Sequence, residues 1–230
     1  MFYFDDLDGK KILRSDFLDK YEGINAFFTT RGANNILLAP DFAKRIITPQ
    51  QTHSDHIAAV DERDEYPDTD GLILTEPETA IYLRFADCTP LIFYDIKHNI
   101  AAISHAGWRG TAARIGVKTV AKMVMNFSSR VYDLIVLIGP AISMCCYEVS
   151  DDVKDRLLST VKNTKGLYKD RNVDLKKINA RQLEEAGVHT IDICPYCTSC
   201  NNDMFYSYRK ENCTKERHFA VLKLLNTKEG

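Results

Sequence analysis

The stretch Ile100-Ala101-Ala102-Ile103-Ser104-His105-Ala106-Gly107-Trp108-Arg109-Gly110-Thr111 decides the fold. Its first half is uncharged and apolar, which suits a strand over Ile100–Ser104 with both faces buried. That strand delivers His105 to its end. Gly107 and Gly110 then let the backbone come close to a ligand, and Thr111 is placed to cap the helix that follows. Beyond it, Ile115, Val120, Val124 and Phe127 recur at helical spacing, so a helix is expected from Thr111 to about Phe127. A helix N-terminus beside Arg109 suits an oxyanion or phosphate.

Upstream, Ile24–Thr29, His56–Val60, Gly71–Leu74, Thr79–Phe85 and Pro90–Tyr94 read as strands, each rich in β-branched or aromatic residues and bounded by turn formers. Downstream, Asp133–Ile138, Val188–Ile193, Met204–Tyr208 and Phe219–Leu225 read as further strands. Asp151–Val161 and Asp174–Ala186 read as helices, with Gly187 closing the second. Strands outnumber helices without a strict βαβ alternation, which predicts an α+β fold. No repeat, low-complexity run or linker divides the chain, so a single domain over residues 1–230 is expected.

With 45% hydrophobic and 27% charged residues and a formal net charge of −2, the composition is that of a soluble globular protein. It gives no electrostatic reason to expect nucleic acid or an anionic membrane as partner. No apolar run approaches the roughly 20 residues of a membrane span. The acidic start MFYFDDLDGK is unlike a signal peptide, so a cytoplasmic location with reduced thiols is expected for the seven cysteines.

Three polar segments at strand ends carry the candidate chemistry: Gln51-Thr52-His53, Ala86-Asp87-Cys88-Thr89-Pro90 and His105 with its glycine turn. Two imidazoles and one thiolate, His53, Cys88 and His105, make a sensible three-ligand zinc site with a fourth position open to water, the pattern of catalytic zinc. Such a water is acidified towards neutrality. Asp87 or Asp70 could orient a ligand imidazole. Trp108, the only tryptophan, could stack on a flat heterocycle or wedge into the core. Cys194, Cys197 and Cys200 have C-x2-C-x2-C spacing, but Cys213 lies too far on to complete a ferredoxin loop. They are read as packing, and Cys145-Cys146 likewise as packing at a turn. Arg209 is a candidate to face a site from the alternating run Phe205-Tyr206-Ser207-Tyr208-Arg209.

These segments, with Thr29-Thr30-Arg31-Gly32, Gly139-Pro140-Ala141-Ile142 and Cys146-Tyr147-Glu148-Val149, resemble the laccase-domain (YfiH-type) family over nearly the whole chain. That family also carries the names multicopper polyphenol oxidase and purine nucleoside phosphorylase. The resemblance implies a four-layer α/β/β/α domain with mixed sheets, and His53, Cys88 and His105 as zinc ligands. It further implies phosphorolysis of adenosine, inosine and methylthioadenosine, with adenosine deamination, and Arg31 and Arg209 as phosphate or ribose contacts. Asp87 joins the ligands as a catalytic candidate, and Gln51, Trp108 and Arg109 join the arginines as substrate contacts. Two departures stand out: the segment between Arg31 and Gln51 is short, and Lys215-Glu216-Arg217 replaces the usual Thr-Gly-Arg.

Two other chemistries compete. A copper polyphenol oxidase would use Cu2+ on the same His2Cys set, but six histidines in all are too few for a trinuclear cluster as well. A metal-free Cys88 nucleophile with His105 as base would make a hydrolase, for instance on amide bonds of peptidoglycan precursors.

Overall fold

The computed structural model describes residues 1–227. Two six-stranded mixed sheets form its centre. One runs in the order Phe2–Leu7, Lys10–Ser15, Ile24–Thr29, His218–Leu224, Thr79–Phe85, Arg45–Ile47. The other runs Thr190–Ile193, Leu134–Ile138, Thr89–Asp95, Ile100–Ala106, Gly71–Leu74, Ile57–Ala59. The expected α+β class is therefore the observed one.

Alternation along each strand explains the layering. Phe28, Leu83, Phe85 and Leu222 from the first sheet meet Leu72, Ile92, Ile103 and Leu137 from the second in one buried cluster. The opposite faces of the second sheet, with Ile73, Phe93, Ala102 and Val136, pack under Ile115, Val120 and Met123 of one helix and Leu183 of another. The outer face of the first sheet, with Ile12, Phe27 and Val221, is covered by Ile36 and Leu37 of a 3-10 turn, Asn34–Leu38. The short segment after Arg31 thus supplies a 3-10 turn as the cover of this face.

Several boundaries differ from the sequence reading for identifiable reasons. The helix expected over Thr111–Phe127 is two helices, Trp108–Ala112 and Ile115–Phe127, broken where Arg114 takes φ 60°. Thr111 lies inside the first rather than capping it; the cap position is Gly107. Met204–Tyr208 is not a strand but a chain of turns, closed by the Phe205 N–H on Asn201 O (3.0 Å) and the Glu211 N–H on Ser207 O (3.0 Å). Its alternation reflects Phe205 and Ser207 anchoring a loop in the core. The sequence reading missed an N-terminal hairpin, Phe2–Leu7 with Lys10–Ser15; its turn is Asp8-Gly9, both at positive φ as a tight hairpin turn requires. Asp174, expected as the first residue of a helix to Ala186, instead caps the helix Leu175–Glu185 through the Lys177 N–H (3.1 Å).

Candidate metal centre

Register assembles the site. Pro90 pairs with His105 and Thr89 with Ala106, so Cys88, one residue before the strand, emerges beside His105. Gly71 pairs with Ser104, and the next residues out are Asp70 and His105, joined by the His105 N–H on Asp70 O at 2.7 Å. His53 arrives from the loop ahead of Ile57–Ala59. The ligand atoms of His53, Cys88 and His105 all lie within 4.8 Å of one another, and the two imidazole rings stand 4.9 Å apart at 71°.

Asp70 holds two of the three. Its buried carboxylate bonds His105 Nδ1 at 2.7 Å and accepts the main-chain N–H groups of Thr52 (3.0 Å), His53 (3.2 Å) and Ser54 (2.8 Å). His53 sits at φ 64°, a conformation that costs a non-glycine residue about 1–3 kcal/mol and persists because these bonds over-determine it. Gly107 completes the cradle: a Cβ there would stand 3.0 Å from Cys88 Sγ and 3.2 Å from His53 Cδ2.

The electrostatics suit a cation or an ion pair. Burial alone would hold the Cys88 thiol high, but the imidazoles of His105 and His53 bring it down to about 6. Burial would likewise lower His105, yet the Cys88 thiolate and Asp70 raise it to about 9. Asp70 stays ionised, lowered to about 2 against its own burial by the bond to His105 and the loop N–H groups.

Asp87, at φ 81°, has both carboxylate oxygens engaged: one accepts from Thr198 Oγ1 (2.6 Å), the other from the Arg209 main-chain N–H (2.7 Å). Its geometry ties loops together, whereas the imidazole-orienting acid is Asp70.

The cluster opens into a cavity of about 1330 Å³ lined by Gln51, Trp108, Arg109 and Arg209 among the expected contacts. Gln51 is fixed by two bonds to the Arg84 main chain (2.8 and 3.0 Å). Arg109 stacks on Trp108, and Arg209 reaches over the Tyr147 ring. Arg31 is not brought to this cavity. It pairs with Glu211 (2.5 Å), bonds Asn202 O (2.6 Å) and stacks on Tyr206. Sequence reading missed Arg84, Tyr147 and Lys215, which also line the wall with Arg217. Period-two alternation does place Arg84 outward between buried Leu83 and Phe85, but only the fold shows what it faces.

A two-sheet α+β scaffold whose strand ends converge on a His–Cys–His set, inside a basic cleft, defines the class: a protein with a metal-type centre open on its cavity side. The chain belongs to the family described as multi-copper polyphenol oxidoreductase laccase, whose model matches residues 31–224. A Clostridium acetobutylicum protein named a purine nucleoside phosphorylase is 33% identical over 198 residues, 84% of either chain. A protein of that name from Staphylococcus epidermidis is 34% identical over 194 residues, 76% of this chain and 72% of its own. The crystal structure of YlmD from Geobacillus stearothermophilus superposes with a TM-score of 0.88 at 28% identity, covering 97% of this chain and 99% of that one. Bacillus licheniformis YfiH gives 0.87 at 26% identity, with the same coverage.

Proposed function

We propose that the chain is a zinc-dependent purine nucleoside enzyme. It phosphorolyses adenosine, inosine and methylthioadenosine to the free base and the sugar 1-phosphate, and it deaminates adenosine. The observation that carries this reading is the pairing, in one cavity, of a three-ligand soft-donor set with Arg84, Arg109, Arg209, Lys215 and Arg217. A metal at the first and a phosphate at the second are what each group of side chains is chemically suited to hold. The relatives' name, purine nucleoside phosphorylase, supports a purine nucleoside and phosphate as substrates.

His53, Cys88 and His105 would hold the zinc, which supplies Lewis acidity and an acidified water where a purine amino group is displaced. Asp70 fixes the His105 tautomer with its Nδ1 proton, leaving Nε2 as the donor atom. The arginines orient phosphate so that an oxygen faces the anomeric carbon as the glycosidic bond to the base breaks. Trp108 and Tyr147 give the purine an apolar wall. A multicopper oxidase is disfavoured because the four other histidines do not converge: His56 pairs with Asp68 and His98 with Asp95, His218 is fully buried, and His189, just before the strand Thr190–Ile193, joins no ligand group among the described residues. No trinuclear cluster can be assembled from them.

The test is an assay of zinc-loaded protein on adenosine with and without phosphate, following adenine, inosine and hypoxanthine separately. Adenine that depends on phosphate, and inosine that does not, are expected. Absence of all three products defeats the reading.

A second reading rests on the Cys88–His105 pair itself. A thiol at about 6 facing an imidazole at about 9 is an activated nucleophile when metal is absent. Turnover of an amide substrate by rigorously metal-free protein, abolished by alkylating Cys88, would select this hydrolase.

A further inference from the structure

Four more cysteines meet away from this cavity's ligand set. Cys145 and Cys146 lie in the turn after the strand Leu134–Ile138, and Cys197 and Cys200 in the loop after Thr190–Ile193. Those strands are parallel neighbours, and an isolated bridge between Ala141 and Cys197 carries the pairing past their ends. All four sulfurs fall within 4.8 Å of one another. Cys200 Sγ stands 3.6 Å from that of Cys145 and 3.5 Å from that of Cys146. We propose that Cys145, Cys146, Cys197 and Cys200 form a second, structural metal site that takes one Zn2+ as a closed tetrathiolate.

Magnitudes support a single ion. A tetrahedron with Zn–S of about 2.3 Å has S–S edges of about 3.8 Å, close to the observed spacings. A disulfide would need about 2.05 Å, and it would leave two of the four converging sulfurs unused. An iron–sulfur cubane spreads its thiolates wider than this cluster. Cys194, the remaining member of the C-x2-C-x2-C run, turns the other way and is buried between the sheets.

The surroundings match a net negative centre. Four thiols binding one Zn2+ release up to four protons and leave a charge of −2. Cys197 Sγ accepts the Ser143 N–H at 3.3 Å, and the Cys200 and Ser199 N–H groups also bond it. Beside the cluster lies Lys176, only 4% exposed, whose ammonium bonds the carbonyl oxygens of Cys194 (2.7 Å) and Tyr196 (2.9 Å) rather than a carboxylate. A buried cation that touches no carboxylate is costly unless counter-charges are near; Asp174 supplies one, and the tetrathiolate would add to it. The ion would lock together two loops that shape the first cavity: one leads into Tyr147, the other presents Thr198 to Asp87.

The site is independent of the nucleoside reading, and its test separates the two. Protein carrying H53A, C88A and H105A together, purified without chelator, is expected to retain one zinc per chain by elemental analysis. Adding C197S and C200S is expected to remove it, and wild-type protein is expected to hold two. Loading the triple variant with Co2+ should give the intense visible bands of tetrahedral thiolate coordination; the milder C145S should weaken and shift them without unfolding the chain. A triple variant that folds and binds no Zn2+ or Co2+ overturns the proposal. So does a mass lower by two hydrogens with two thiols unreactive, which means a disulfide, or stoichiometric iron with sulfide.

Discussion

Asp70 Oδ1 lies 2.7 Å from His105 Nδ1, with the carboxylate fully buried and the imidazole nearly so. The same carboxylate holds the main chain of Thr52, His53 and Ser54. One acid therefore sets both the tautomer of one histidine and the path of the loop that carries the other. Asn at this position keeps one acceptor but loses the charge, and Ala loses both. D70N is expected to weaken zinc binding about 10–100-fold, the usual effect of removing a ligand's hydrogen-bond partner. D70A should also destabilise the fold by about 3–5 kcal/mol, because it removes one of the two charges paired with the buried imidazole and leaves the Thr52, His53 and Ser54 N–H groups without their acceptor. Competition with a chromophoric chelator and urea unfolding measure the two; unchanged zinc affinity in D70N would remove Asp70 from the centre.

The Cys88–His105 couple predicts a pH window in metal-free protein. The Cys88 thiol, lowered from 9.0 to about 6, contributes stability that is complete above 9.0 and lost as pH falls through 6. His105, raised from 6.5 to about 9, contributes stability that is complete below 6.5 and lost as pH rises through 9. Each ion is largely what shifts the other, so the thiolate–imidazolium pair itself stands between about 6 and 9, and across most of that window the Cys88 gain and the His105 loss oppose one another. Below it His105 keeps only Asp70. Site-resolved alkylation of apo protein should show Cys88 reacting with an inflection near pH 6, and zinc should protect it. An inflection near 9 would mean that no such pair forms.

The cationic wall predicts a split between kinetic constants. Arg209 and Arg84 line the cavity with no carboxylate partner among the described residues, whereas Arg31 is paired to Glu211. A charged hydrogen bond is worth about 1.5–3 kcal/mol, so R209A or R84A should raise the phosphate KM about 10–100-fold. R31A should leave phosphate KM unchanged and instead loosen the Asn202–Glu211 loop, seen as a lower Tm.

How much of this was legible depended on whether the signal was local. Thr79–Phe85 was read to the residue, because strand periodicity and its turn-forming flanks are local properties. The break at Arg114 was not, since a single left-handed residue leaves the apolar pattern intact. Met204–Tyr208 imitates a strand because a loop anchored by Phe205 and Ser207 alternates as a strand does. Chemistry alone could nominate His53, Cys88, His105 and Asp70. Their meeting depends on the pairings Pro90 with His105 and Gly71 with Ser104, and register is invisible to periodicity. The same holds for Cys145 and Cys200, which sequence separates by 55 residues and parallel strands bring together.

Gly107 gives the sharpest test of the cradle, because it differs from Gly110 in what surrounds it rather than in backbone freedom. Neither has a positive φ. A methyl at 107 would press on Cys88 Sγ and His53 Cδ2 at 3.0 and 3.2 Å; one at 110 would meet the His105 carbonyl at 3.1 Å and Ile115 at 3.4 Å. His53 is exposed and its loop can yield, so G107A should fold with modest loss of stability while the ligand triangle opens. Metal affinity should fall at least 10-fold and Cys88 should become easier to alkylate in the presence of zinc. G110A presses on a fixed strand end, so its cost should appear in Tm rather than in metal binding. If the two variants lost zinc affinity equally, the close approach at Gly107 would have no special role in shaping the centre.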